Sequence, residues 1–142
     1  MAEALRVELG EWQAMRAHAE PVRFAVFVEE QKVPAEIELD GFDPLSVHAL
    51  AFDGAGRVLG TGRLLPDGHI GRMAVLRQAR GAGVGSALLR ALMQAARARG
   101  DRQVALSAQT HAIPFYERFG FVAQGEQYDD AGIPHRWMRL VF

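Results

Sequence analysis

The sequence predicts an α/β fold of mixed α+β character: a central mixed, mostly antiparallel sheet of six to seven strands flanked by helices, in the order β-α-β-β-β-α-β-α-β-β. Three observations carry this reading. Short apolar runs between residues 47 and 75 are separated by Gly, Asp and Pro residues at turn spacing. Residues 83–99 then switch to helical period. After that helix, short strand-like and helical stretches alternate before two final strand runs.

Taken in order, residues 6–9 alternate as a short strand, and residues 12–31 carry helical spacing through Trp12, Met15, Ala19, Val22 and Val26. Pro21 is expected to break or kink that helix, because it lacks an N–H and crowds the preceding turn. The acidic segment 35–44 reads as a loop with Asp40-Gly41 and Asp43-Pro44 as turn signals. Strands over 47–52, 58–65 and 69–75 form a meander turned by residues 53–56 and 66–68. The helix over 83–99 aligns Val84, Leu88, Leu92 and Ala95, with Arg97 and Arg99 in its last turn and Gly100 as C-cap, which suits the negative end of the dipole. A strand over 103–107 leads to a short helix over 112–119, where Pro114 is tolerable in the first turn and Gly120 ends it. Strands over 121–128 and 135–142, joined through residues 129–132, complete the set.

The 142 residues hold 16 basic and 17 acidic side chains, with 49% hydrophobic and 23% charged residues, so they can bury a core and do not form a generally basic nucleic-acid binder. The arginines are spread without interleaved aromatics, which also argues against nucleic acid. No repeat or linker is visible, and one domain over residues 1–142 is expected. The absence of cysteine removes disulfides, thiolate zinc sites and any acyl-thiol enzyme intermediate. His18, His48, His69, His111 and His135 form no pair at metal-ligand spacing with a carboxylate, so no metal is expected. Glu3, Arg6 and Glu8 interrupt the apolar stretch a signal peptide needs, and no segment approaches the roughly 20 apolar residues of a membrane span. A cytoplasmic protein with no membrane partner is the expectation.

The near-neutral total conceals a split. Residues 1–53 hold 4 basic and 11 acidic side chains, residues 54–118 hold 10 and 3, a pattern that suggests two partners of opposite charge. Lys32 is the only lysine; GC-rich codon usage explains the arginine excess as a whole, and anion binding is the reading for particular positions.

The sharpest local signal is the run from Arg77 to Ser86, RQARGAGVGS, between a strand and the long helix. Glycines at 81, 83 and 85 permit a tight turn and close approach of a ligand, and the first N–H groups of the helix would face it with the positive dipole end behind them. Phosphate or pyrophosphate suits such a loop, with Arg77 or Arg80 adding a charge-assisted contact. Close packing of helix on sheet is the other reason for glycines here. A P-loop is excluded because the loop lacks the Gly-Lys-Ser/Thr ending. A dinucleotide fingerprint is excluded by the GxGxG spacing and by the absence of an acid at the end of the next strand.

Arg80-Gly81-Ala82-Gly83-Val84-Gly85 matches an R/Q-x-x-G-x-G/A loop, and Pro114-Phe115-Tyr116-Glu117-Arg118-Phe119-Gly120-Phe121 matches an FYxxxGF segment. With both motifs the chain resembles the GCN5-related N-acetyltransferase (GNAT) family over about residues 5–142. Phe27-Val28-Glu29-Glu30-Gln31, Asp40-Gly41, Ala108-Gln109 with His111, and Gly132-Ile133-Pro134-His135 resemble its ElaA-like branch.

The resemblance implies an acetyl-CoA-dependent N-acetyltransferase that passes acetyl directly to a primary amine of a small molecule or peptide. The alternative is a non-catalytic acyl-CoA-binding regulatory domain. Direct attack agrees with the missing cysteine, and Ser46, Ser86 and Ser107 lack a nucleophile-elbow motif. By the same resemblance, Arg80, Gly81, Ala82, Gly83, Val84, Gly85 and Ser86 hold the pyrophosphate. Met73, Ala74 and Val75 pair with the pantetheine arm, and the Val75 N–H polarises the thioester. Tyr116 protonates the departing thiolate, Phe115 packs on the cofactor, and Gln109 and His111 flank pantetheine or acceptor. Glu29, Glu30, Asp40, His111 and His135 are candidates for the base. Gln31, Asp40 and His135 are the acceptor-binding candidates, and the acids of residues 29–43 would attract a cationic amine. In the last strand Trp137, Met138, Leu140 and Val141 are core residues or, in the other reading, part of a homodimer interface.

Overall fold

The computed structural model describes residues 4–142; Glu3, named above, lies outside them. Strands β1 (Arg6–Gly10), β2 (Val47–Phe52), β3 (Val58–Leu64) and β4 (Ile70–Val75) form one antiparallel sheet in the order β1-β2-β3-β4. Strands β5 (Gln103–Gln109), β6 (Val122–Asp130) and β7 (Ile133–Val141) form a second, ordered β5-β7-β6 and also antiparallel. The helices are α1 (Trp12–Arg23), α2 (Ala35–Glu38), α3 (Val84–Ala98) and α4 (Ile113–Glu117).

The two sheets meet at one parallel bridge, His69 to Ala105, where the Ala105 N–H donates to the Gly68 carbonyl at 3.1 Å. Among the described residues no ladder joins β4 to β5 beyond that point. A bulge in β4 accompanies the parting: Thr61 faces Ala74 and Arg63 faces Gly71, so Arg72 and Met73 together oppose Gly62. Such a bulge bends the strand and increases its twist. Arg72 takes a left-handed φ of 48° there.

The core lies under α3. Val84, Leu88, Leu89, Leu92 and Ala96 are fully buried against Ala49, Ala51 and Leu64 of the first sheet and Val104, Leu106 and Met138 of the second. Ala96 takes the deepest position that the sequence pattern assigned to Ala95, which is half-buried. In β7, Met138 is buried and Leu140 packs on the core, while Trp137 and Val141 are exposed on the opposite face, as strand alternation requires.

Two local expectations are corrected. Pro21 does not end the first helix: α1 runs past it to Arg23, and the chain then widens into a π-helical stretch, Phe24–Glu30, where the Gln31 N–H donates to the Val26 carbonyl at 3.0 Å. Widening accommodates a segment whose regular hydrogen-bond ladder is disturbed. The segment 35–44 is not all loop, because α2 forms on Pro34, whose carbonyl accepts the Ile37 and Glu38 N–H groups. Tertiary contact drives this turn: Glu38 is buried and its carboxylate accepts from Arg23 Nε.

That contact belongs to a buried ion network behind β3 and β4. Arg23 Nη1 donates to Asp43 Oδ1 at 2.8 Å, and Arg63 donates to Asp43 at 2.9 Å and to Asp40 at 2.9 and 2.5 Å. Arg72 adds a bond to Asp40 at 3.1 Å. Burial raises, and the arginines then outweigh it to lower, the pKa values of Asp43 and Asp40, with Asp40 brought to about 2. Part of the acidic first third thus answers arginines of the basic middle, and part answers Arg23 within the first third itself. Glu38, Asp40 and Asp43 answer Arg23, Arg63 and Arg72, and Asp53 answers Arg57. Removing one buried partner strands the rest. Asp43→Ala is accordingly expected to cost about 3–5 kcal/mol in urea unfolding, and a cost under about 1 kcal/mol would contradict the network's role.

Candidate active site

The parting of β4 and β5 opens a cleft of about 1000 Å³. Along one wall run Met73, Ala74 and Val75, along another Leu106, Ser107 and Gln109, with Phe115 and Tyr116 of α4 between them. At one end lies the glycine loop, Arg80 to Ser86, leading into α3.

Gly81 and Gly83 both have φ of 82°, and a Cβ on either would meet nothing within 4 Å. Packing against the sheet is therefore not what requires glycine at these two positions; the left-handed backbone is. The first intrahelical bond of α3 runs from the Ala87 N–H to the Gly83 carbonyl at 3.0 Å. The N–H groups of Val84, Gly85 and Ser86 thus lack helical partners. No acidic side chain sits in this first turn and no side chain caps it. The result is an uncapped helix end of the kind that suits an anion, open to the cleft.

Backbone alternation frees a donor in β4. The Leu76 N–H donates to the Leu59 carbonyl at 2.9 Å, so the next pair, Gly60 and Val75, is of the non-hydrogen-bonded kind. The Val75 N–H and C=O consequently face away from β3, and the carbonyl accepts from Arg80 Nε at 3.0 Å. A carbonyl oxygen in the cleft would find the Val75 N–H unclaimed by the sheet.

Tyr116 lies on the same cleft with its ring against Phe115 and Phe121 at centroid distances of 5.1 and 6.0 Å. Burial pushes its pKa up to about 12. The phenol is therefore a proton carrier at any ordinary pH. No described residue hydrogen-bonds its hydroxyl.

Gln109 connects the predicted residues of the other wall. Its Nε2 donates to Gln31 Oε1 at 3.0 Å, and His111 Nε2 donates to its Oε1 at 2.7 Å. A smaller cavity of about 210 Å³ continues from here, bordered by Phe27, Gln31, Ile37, Arg72, Asp130 and His135, among others. His135 is buried and lines both cavities. Its Nδ1–H donates to the Ile133 carbonyl at 2.7 Å, which in the neutral ring leaves the Nε2 lone pair free.

Other predicted residues lie elsewhere. Ala82 does not line the cleft. Glu29 is exposed and borders neither cavity. Asp40 borders neither cavity, and Arg63 and Arg72 occupy its carboxylate. Glu30 does reach the cleft, but both its oxygens accept from Arg80 at 2.7 Å, a contact that lowers its pKa. A carboxylate so paired is a poor proton acceptor. Glu30→Gln should therefore leave kcat within about threefold, with any change in the KM for the cofactor small, since exposed ion pairs contribute little. A loss of kcat beyond 100-fold would restore Glu30 as a base.

The sequence reading missed two groups on these walls, Ser107 and Arg72, and one that supports them, Tyr128. Ser107 and Tyr128 hydrogen-bond through their hydroxyls, with the Tyr128 ring stacked 6.1 Å from His135. Arg72 borders both cavities and carried no motif; only the bulge reveals it.

A family model described as an acetyltransferase (GNAT) domain matches residues 15–142. The chain belongs to the GNAT acetyltransferase family. An N-acetyltransferase of Bacillus subtilis, YjcF, is 43% identical over 82% of this GNAT chain and 86% of its own. Among solved structures, an acyl-CoA N-acyltransferase from Pseudomonas aeruginosa superposes with a TM-score of 0.85 at 36% identity, covering 96% of this chain and 99% of that one. Escherichia coli ElaA superposes with a TM-score of 0.84 at 28% identity, covering 94% and 98%. The protein is an N-acetyltransferase of this family. No helix among the described residues is long and apolar enough to cross a membrane.

Proposed function

We propose that this GNAT domain, taken as one catalytic unit over residues 1–142, transfers acetyl from acetyl-CoA directly to a primary amine. The observation that carries the proposal is the shared cleft: the free N–H groups at the start of α3, the free Val75 N–H and the Tyr116 phenol all border it. The protein's residues suit a coenzyme A thioester. Backbone N–H groups from Gly81 to Ser86 would hold the pyrophosphate, and β4 offers an unpaired edge to the pantetheine amides. Bound there, the thioester supplies an activated acyl group with a thiol leaving group.

Each remaining role follows from position. The Val75 N–H stabilises negative charge building on the thioester oxygen. His135 Nε2 accepts the proton lost by the acceptor nitrogen as the C–N bond forms, and Tyr116 gives its proton to the sulfur as the C–S bond breaks. A phenol raised to about 12 is a weak acid toward an ordinary thiol of pKa roughly 8.5. The thiolate, however, departs into the same desolvating pocket, which raises its own proton affinity and narrows the gap. Gln31 and Gln109 border both cavities and His111 the larger one, on the side where acetyl and amine would meet.

Steady-state kinetics test the order of events. Initial rates measured against both substrates should give intersecting double-reciprocal lines, as direct transfer requires. Parallel lines would indicate an acetyl-enzyme and overturn this reading.

A further inference from the structure

The three arginines of the buried network are not equivalent. Carboxylate partners raise the pKa values of Arg23 and Arg63 in spite of burial, whereas that of Arg72 is lowered, first by burial and then by the neighbouring Arg63. Arg72 stands at the edge of the network on the small cavity, with Asp40 at 3.1 Å and the Glu38 carboxylate no nearer than 3.9 Å. Arg72 Nε and Nη2 are fixed by the Glu38 carbonyl at 3.3 and 3.1 Å, and Nη2 also meets Asp40. Its Nη1 has no hydrogen-bond partner among the described residues. The left-handed backbone at Arg72 is one that side chains rarely adopt and that persists where its surroundings over-determine it. The bulge thus delivers a held, planar cation to the boundary of the two cavities.

The rest of the small cavity sharpens the match. The Glu38 carboxylate bonds Arg23 and lies 3.9 Å from Arg72 Nε, so the exposed Asp130 is the acid on this wall that has no arginine partner among the described residues. Opposed single charges of opposite sign complement a zwitterion, and a guanidinium edge suits a carboxylate in particular. A polycation would meet Arg72 with only Asp130 to favour it. We propose that the acceptor is a small amino-acid-like amine whose carboxylate is held by Arg72, with its amino group turned toward His135 and Val75. This substrate class rests on the acetyl-transfer reading above.

Calorimetry on the full chain, with and without coenzyme A, tests it with N-acetyl amino acids and their matched amides as probes, alongside thiol-release assays on the free amino acids and amino amides. The carboxylates are expected to bind at least tenfold more tightly than the amides. Arg72→Gln should erase that preference and Arg72→Lys should keep part of it. An unchanged acetyl-CoA melting shift in both variants controls for folding; if Arg72→Gln fails that control, the Arg72→Lys comparison and the wild-type preference decide. Equal or tighter amide binding, a preference that survives in Arg72→Gln, or no binding by any probe overturns the assignment. A carboxylate preference without thiol release from any amine refutes acetyl transfer and leaves Arg72 as a carboxylate site. Thiol release confined to uncharged or polycationic amines does the reverse.

Discussion

Acetyl-CoA at 100 times its dissociation constant is expected to raise the melting temperature of the wild-type protein by on the order of 5–10 °C, and Gly83→Glu to abolish the shift. Ligand at that concentration stabilises by about 2.7 kcal/mol, so the effect is readily measured. Gly83 is the N-cap of α3 at φ 82°, and open space surrounds the position of a Cβ. A side chain there should therefore be tolerated by packing, at a backbone cost of about 1–2 kcal/mol. Its carboxylate would instead occupy the place of the anion and repel it. The variant should fold with a somewhat lower melting temperature and ignore the cofactor. A retained shift would contradict the assignment of the loop.

Tyr116→Phe is the second large effect. Loss of a general acid is expected to lower kcat by about 10²–10³-fold. The change deletes one oxygen and keeps the ring contacts with Phe115 and Phe121, so the dissociation constant of acetyl-CoA should stay within about twofold. Such a split, turnover lost and affinity kept, is the mark of an interaction made in the transition state. Equal kinetics would remove Tyr116 from the mechanism, and a matching loss of affinity would make it a packing residue. Because its pKa lies near 12, no fall in activity from Tyr116 ionisation should be seen below about pH 11.

The extent to which the sequence foretold this follows from how local each feature is. The glycine loop and the α4 segment are contiguous and obey short-range rules, so their positions could be read directly. The order of elements was legible for the same reason. The split of the sheet was not, because it depends on a bulge where Arg72 and Met73 oppose Gly62 across two strands. The turn at residues 35–38 was hidden because Arg23, far away in sequence, holds Glu38 in place. Charge was the most misleading signal. Along the sequence the acids of residues 29–43 read as a lure for a cationic amine, yet Glu30, Glu38, Asp40 and Asp43 each answer a particular arginine. Pairing is a property of the folded chain, and counting side chains along the sequence does not reveal it.

Direct transfer from acetyl-CoA held in the cleft between β4 and β5 is the central proposal. The most direct measurement mixes the protein with acetyl-CoA, alone and with an acceptor amine, and quantifies free thiol, N-acetyl product and intact protein mass together. One thiol released per acetylamide formed, with the protein mass unchanged at every time, is the predicted result. An acetylated protein that forms without acceptor and passes its acetyl group on, or bound acetyl-CoA that yields neither thiol nor amide with any amine, would contradict it.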